Sequence, residues 1–388
     1  MEVKPEIETF AKIKVLGVGG SGGSAVNRMM SHKIRGIEFV AINTDAQALH
    51  HNSAPTKIHI GKMTTRGLGA GMNPELGRKA AEEDHDDIAD LIKGSDMVFI
   101  TGGLGGGTGT GAMPVIAEQA KNLGALTVAV VTKPFSFEGA QRKSLAEQGF
   151  AELADQVDTI ITIPNDRLLQ IIDKKTSLLE SFQVVDDVLR QGIQGIAELI
   201  TVPGLINVDF ADVSAIMKDQ GTALMGIGRG TGENRAVDAA KAAIDSPLLE
   251  VPIDGAKGIL FTVTGGSSLS MYEVNEAARI ITQSADPNAK IIFGAVIDEN
   301  LKDEVKVTVI ATGFGKAGPR PVKRASMHMP PEFETKPFIE KQKPASMPSS
   351  NPMTSRPSFP SIGSKPEPAK PKEEDELDIP AFIRKKMM

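Results

Sequence analysis

The sequence predicts an α/β protein: a Rossmann-like, mostly parallel sheet, a long central helix, a smaller mixed α/β domain and a tail that does not fold. Three observations carry this reading. Short, continuously apolar runs alternate with helix-patterned segments from residue 13 to about 165, as expected of strands in a sheet covered on both faces. An apolar stripe at helical spacing then runs for roughly six turns. Finally, Gly and Pro segregate: 37 of the 39 glycines precede Lys316, whereas fourteen of the 24 prolines lie in the last 72 residues.

In chain order, residues 1–12 read as a flexible start and 13–176 as the first domain. Its strands are IKVLGV, IEFVAIN, DMVFIT, LTVAVV and TIITI, with helices PVIAEQAKNL and AQRKSLAEQGFAELADQ between the later ones. A sheet of this kind places its ligand at the C-terminal strand ends. The central helix spans 177–202, with Leu178, Phe182, Val185, Leu189, Ile193, Ile196 and Ile200 on one face. Pro203 and Gly204 stop it, and a turn-rich stretch with Asn207, Asp209 and Asp212 follows. Residues 203–316 hold a second unit with strands LMGIGRG, ILFTVTG, IIFGAVI and VKVTVIA and helices ENRAVDAAKAAI and SMYEVNEAARIIT. The last two strands adjoin without a helix between them. Residues 317–376 are rich in Pro, Ser, Lys and Glu, too polar to offset their ordering entropy. Residues 377–388 end in LDIPAFIRKK, which sets Ile379, Phe382 and Ile383 on one helical face, the pattern of a docking peptide on a tether.

Composition excludes several classes. The 388 residues contain no Cys, which removes disulfide scaffolds, thiolate zinc sites, iron–sulfur ligation and thiol catalysis. No apolar run approaches the ~18 residues of a membrane span, and no basic segment followed by an apolar core opens the chain. A cytoplasmic protein without direct membrane insertion is expected. A formal charge of −6 and 4% aromatic residues argue against a nucleic-acid surface, which needs dense Lys and Arg and stacking rings.

Twelve glycines fall in two short segments, 17–23 and 102–111. The first, Gly17-Val18-Gly19-Gly20-Ser21-Gly22-Gly23, contains G-x-G-x-x-G after a strand and before a helix, with Asp45 downstream. Read alone, it suits a dinucleotide site or a tight turn. The second, Gly102 to Gly111, also joins a strand to a helix. A dinucleotide site needs no second loop, whereas two such loops at neighbouring strand ends surround one polyphosphate with backbone donors. Thr108 and Thr110 add hydroxyls for phosphate oxygens or a Mg²⁺ shell. The lysine-bearing G-x-x-x-x-G-K-[ST] loop is absent, so helix dipoles, N–H groups and a metal must meet the phosphate charge.

The string GGGTGTG, Gly105 to Gly111, resembles the signature of the tubulin/FtsZ family of GTPases, and further segments resemble its bacterial cell-division members. These are NTDAQAL from Asn43, GLGAGMNPELG from Gly67, TKPFSFEG from Thr132, ITIPNDRLL from Ile161, GIAELIT from Gly195 and GLINVDFADV from Gly204. The resemblance implies a GTP-hydrolysing protein that polymerises head-to-tail into the cytokinetic ring at midcell. It also implies a membrane adaptor of the FtsA type bound by the terminal peptide. For the site, it implies phosphate contacts at Gly19, Gly20, Ser21, Gly22, Gly23 and Ser24, with Ser21 standing where Gly is usual and Ser24 where Asn is common. Ala70 and Gly71 would sense the γ-phosphate, beside a Met72 that replaces a smaller residue. Gly107, Thr108 and Gly109 would hold the central phosphates, and Asn43 and Thr132 belong to matching nucleotide-side motifs. Glu138 and Arg142, otherwise an exposed ion pair, would reach ribose and phosphate, and Asn165 the ribose side. Phe182 would stack on the base while Asp186 accepts guanine's N1–H and amine, which a bare adenine N1 cannot offer. Asp209 and Asp212, supported by Asn207, would enter the pocket of the next subunit and orient the attacking water. Mg²⁺ would ride mainly on the GTP or GDP phosphates rather than on a protein cage.

Two other functions suit parts of the chain. An NAD-dependent oxidoreductase built on the first loop leaves the second loop, the paired aspartates and the tail without a role. A GTP-binding regulator that does not assemble differs from a polymer protein by the absence of GTP-dependent light scattering.

Overall fold

The computed structural model describes residues 11–314 except 33, 35, 171, 173–174, 202–205, 207 and 250. The flexible start (1–10 of it), Pro203, Gly204, Asn207, the linker 317–376 and the peptide 377–388 lie outside the described residues. In chain order, β1 (Ile13–Val18), α1 (Gly19–Ser31), β2 (Ile37–Asn43), α2 (Ala46–His50), β3 (Thr56–His59), α3 (Lys62–Thr65), α4 (Pro74–Glu83), α5 (His85–Ile92), β4 (Met97–Gly103) and α6 (Thr108–Asn122) come first. Then follow β5 (Leu126–Lys133), α7 (Ala140–Gln156), β6 (Thr159–Pro164), α8 (Asn165–Leu168) and α9 (Leu178–Thr201). The remainder is α10 (Phe210–Met217), β7 (Gly221–Thr231), α11 (Arg235–Ile244), β8 (Gly258–Gly265), α12 (Met271–Gln283), β9 (Lys290–Ile297) and β10 (Glu304–Thr312).

The strands form one sheet in the order β3-β2-β1-β4-β5-β6-β7-β10-β8-β9. Pairing is parallel from β3 to β7, so the apolar runs read as a parallel sheet do form one. The chain winds from β1 outward to β3, then returns to β4 and winds the other way, which opens a crevice between the loops after β1 and β4. β10 is antiparallel to both β7 and β8. Although β9 and β10 adjoin in sequence, β8 lies between them in the sheet and pairs with β9 in parallel. The sheet joins its two halves through β6 and β7 over three registered pairs, Thr159↔Gly221 to Ile161↔Ala223.

Each face of the first half is buried as its continuous apolar strands require. Val15, Phe99, Val128 and Ile161 point to a core shared with α1 and α9 through Met29, Leu189 and Ile193. Leu16, Ile100, Ala129 and Ile160 point to the opposite core under α4 to α7. A third cluster lies in the second half, where Ala239 and Ala243 of α11 and Ala277 and Ile281 of α12 meet Phe261 and Val307. The long apolar stripe is α9, whose Gly192 lies against Val130 of β5 and Met225 of β7. No described helix is long and apolar enough to cross a membrane.

β3 is a strand that the apolar pattern does not predict. Thr56–His59 is four residues of mixed polarity at a sheet edge, where one unpaired side removes the need for an apolar run. The acidic stretch Glu82–Asp87 is mostly exposed, and two of its members brace a turn. Asp84 accepts from Gly61 N at 2.6 Å, and Glu83 accepts from the Met63 and Thr64 amides at 2.8 and 3.0 Å.

Candidate nucleotide site

Both glycine segments become helix starts. α1 begins at Gly19 and α6 at Thr108, and neither has a side-chain cap, so their first-turn N–H groups and positive dipole ends are left for a ligand. Gly19 takes a left-handed φ of 73° and would place a Cβ 3.1 Å from Gly109 N, so glycine there lets the two helix starts meet. A cleft of about 410 Å³ opens between them.

This cleft brings together Gly19, Gly20, Ser21, Gly71, Gly107, Thr108 and Gly109 on its loop side. Thr132, Glu138, Arg142, Asn165, Phe182 and Asp186 close it from β5, the turn before α7, α7, α8 and α9. Gly23, Ser24 and Asn43 line an adjoining cavity of about 230 Å³ that shares Gly19 and Gly20. Gly22 and Ala70 line neither. Gly22 is buried against β4, where a Cβ would sit 2.4 Å from the Thr101 carbonyl oxygen. Ala70 is buried, and a Cβ on Gly107 would meet its carbonyl oxygen at 2.7 Å, so it packs behind the second loop. Thr110 is also withdrawn, with its hydroxyl accepting from Gly105 N at 2.8 Å, so the hydroxyl expected to reach phosphate or metal holds the loop's own backbone. Thr108 keeps its place in the cleft, bonded to the Thr44 hydroxyl at 2.6 Å. Gly103, Leu104, Gly106, Pro134 and Val185 also line it. The first four lie inside the quoted motifs, and Val185 follows Phe182 by one helical step.

Ser21 bridges the loops, its Oγ accepting from Gly103 N at 2.6 Å. A hydroxyl that accepts an N–H retains its own proton to donate. Glu138 and Arg142 form the ion pair at 2.5 Å and line the cleft as well. The other Glu138 oxygen accepts from Phe135 N at 2.9 Å, so this carboxylate is committed to orienting Arg142. Arg142 is the one cationic side chain among the described residues lining the cleft.

The far wall has unmet acceptors. Asn165 Oδ1 is buried without a hydrogen-bond partner. Burial pushes the Asp186 carboxyl up to about 6, against the opposing pull of Arg28. Phe182 is 42% exposed and meets buried Phe135 edge-on at 5.9 Å, leaving ring surface for a planar group. A wall with a ring and lone acceptors, opposite helix starts and an arginine, fits a nucleotide: base on one side, phosphates on the other.

Asp209 and Asp212 line neither cavity. Asp209 is the N-cap of α10 and accepts from Asp212 N at 2.7 Å. They lie beyond the end of α9 that is distal to Phe182 and Asp186. Among the described residues, no group of three His, Cys, Asp or Glu is placed to hold a metal ion.

Residues 12–173 match the tubulin/FtsZ family GTPase domain, and residues 221–315 match the FtsZ family C-terminal domain. The structure superimposes on the empty FtsZ dimer of M. jannaschii with a TM-score of 0.77 and 47% identity, covering 84% of this chain and 96% of that one. The chain belongs to the tubulin/FtsZ family. A point mutant of M. jannaschii FtsZ agrees equally well, at 50% identity over 79% of this chain and 92% of that one, TM-score 0.77. CetZ2 of Haloferax volcanii, solved as a GTPγS-bound protofilament, shares the fold at 20% identity and a TM-score of 0.65, over 77% of this chain and 92% of that one. As a member of the tubulin/FtsZ family, the protein is a GTP-binding, GTP-hydrolysing cytoskeletal protein that polymerises.

Proposed function

We propose that the cleft between α1 and α6 holds GTP and that hydrolysis is completed between successive subunits of a head-to-tail filament. The observation that carries this is the convergence of two uncapped helix starts, Arg142 and the Phe182–Asp186 wall on one cavity. The phosphates lie over the helix starts and Arg142; guanine lies against Phe182, its N1–H and amine given to Asp186. Asn165 serves the ribose side. Mg²⁺ would be held chiefly by the GTP phosphates and water rather than by a cage of side chains, and would offset phosphate charge there.

The catalytic step needs positioning more than covalent chemistry. Asp209 and Asp212 of the next subunit, with Asn207, orient a water whose oxygen bonds to the γ-phosphorus as the bond to the β–γ bridging oxygen breaks. GDP and phosphate leave. In this arrangement the exposed aspartates belong to the neighbour's site, which accounts for their place outside both cavities of their own chain. The chain divides at 13–176, 177–202 and 203–316 into GTP-binding domain, central helix and assembly domain. We further propose that the polymer forms the ring at midcell in the cytoplasm and that residues 377–388 bind an FtsA-type membrane adaptor.

The deciding experiment is GTPase rate against protein concentration. A threshold concentration is expected; strict proportionality from the lowest concentration would place the whole active site in one monomer and overturn the composite reading.

A further inference from the structure

We infer that Asp166 is a positioning residue for nucleotide binding, acting through the turn Ser136–Glu138 that presents Glu138 and Arg142 to the cleft. The inference rests on reading that cleft as the GTP site, but Asp166 itself does not line it. It is the second residue of α8, next to Asn165, which does. Its Oδ1 accepts from Ser136 N at 2.8 Å and its Oδ2 from the Ser136 hydroxyl.

Ser136 opens a single 3₁₀ turn that Glu138 closes. Inside the turn, Glu138 accepts from Phe135 N with one oxygen and from Arg142 with the other. The turn is thus held by two carboxylates: its own, which aims Arg142, and one from the neighbouring strand end, which anchors the whole. Buried Phe135, just before the turn, also contacts Phe182. Asp166 therefore ties the end of β6, with Asn165, to the segment after β5, with Glu138 and Arg142. The two Ser136 donors hold its carboxyl below the usual carboxylate range, so it stays an ionised acceptor at neutral pH. Phe137, at the tip of the turn, is 65% exposed and stacks on Phe135 of its own segment at 4.9 Å, a contact that ties the turn to no other element. A three-residue turn with an exposed tip needs an outside tether to keep one geometry, and Asp166 is that tether.

The test uses the full chain with Asp166→Ala, Asp166→Asn, Ser136→Ala, Glu138→Ala and the Asp166→Ala/Glu138→Ala double variant. Affinity for GDP is read by competition with a fluorescent guanine nucleotide, and folding by thermal denaturation. Asp166→Ala is expected to weaken binding about tenfold, the size of a lost hydrogen bond to a charged group. Ser136→Ala, which removes one bond and no charge, shows a smaller loss in the same direction. Asn at 166 still accepts from Ser136 N and can donate to its hydroxyl, so Asp166→Asn recovers most of the affinity. In the Glu138→Ala background, Asp166→Ala costs no further affinity, while any loss of melting temperature adds. Wild-type affinity in Asp166→Ala, or additive losses of affinity in the double variant, would overturn the role. Failure of the wild-type protein to bind GDP would instead remove the reading of the cleft itself.

Discussion

Asp186 is a half-buried carboxylate on the cleft wall with no hydrogen bond from a described residue, and desolvation pushes it up to about 6. In the proposed pose, guanine suits this arrangement because it brings two donors to an ionised acceptor. Protonation removes one acceptor, so GTP affinity should hold above pH 6 and fall below it, approaching tenfold per pH unit; a flat titration from pH 7 to 5 would exclude Asp186 as the base contact. Asp186→Asn should weaken GTP by about tenfold or more and favour xanthosine triphosphate, whose carbonyl faces the new amide donor. Since the substitution also removes the burial of a charge, the nucleotide-free variant should melt no lower than wild type. Ser21 makes a second prediction at this scale. Ser21→Ala strands the Gly103 amide and should weaken GDP several-fold, read by the same competition. Sequence alone could not promote Phe182 and Asp186, because a spacing of four is also the spacing of ordinary helix packing; only the family resemblance singled them out. The Ser21–Gly103 bond was equally hidden, since its partners are 82 positions apart.

Elements were legible where one local rule sufficed. Runs such as LTVAVV and ILFTVTG are rich in β-branched residues and apolar but for buried threonines because both faces of the sheet are covered, and both are strands. Thr56–His59 obeys no such rule at its edge. The glycines of the first segment illustrate a finer limit: composition announces a special turn, but only the packing separates Gly22, pressed on Thr101, from Gly20, whose Cβ position is open. Gly22→Ala should therefore destabilise the protein by roughly 2–4 kcal/mol in urea unfolding, whereas Gly20→Ala should leave stability near wild type and change nucleotide affinity alone. A second element-level device joins α11 to α12. Arg235 Nε lies 2.6 Å from Glu273, which also caps α12 through Ser270. The Arg235 hydrogen bond is the largest influence holding the Glu273 carboxyl down to about 2. Because the folded pKa lies below the ordinary value of 4.5, this contribution is complete above about pH 4.5 and disappears as pH falls toward 2. At 1.36 kcal/mol per unit it is on the order of 3 kcal/mol. Glu273→Gln should lower stability at pH 7 and flatten the acid limb of the stability profile over that window.

At the scale of the molecule, Asp209 and Asp212, proposed as the catalytic acids, and the cleft wall of Phe182 and Asp186 belong to opposite ends of the segment built on α9. Asp212→Ala should retain GTP binding and lose most turnover, measured by phosphate release at a concentration where wild type assembles; normal turnover would remove it from the reaction. Deleting residues 377–388 should leave GTP-dependent light scattering intact and abolish binding to an FtsA-type partner. The expected division into a globular body and a tail rests on the whole chain, along which glycine and proline segregate so differently. The placement of the aspartates was not legible there, since the contact they are proposed to make lies outside any one chain.

The junction of β6 and β7 has a mechanical side. Three rungs carry the sheet across it, while β7 and β10 share eight. A load applied to one half of a subunit and resisted by the other crosses those rungs, α9 and the core that Val213, Ile216 and Met217 of α10 share with both halves. Because α9 also carries Phe182 and Asp186, strain at this seam reaches the cleft wall, and hydrogen exchange of the amides around Gly221–Ala223 in free and assembled protein is its readout.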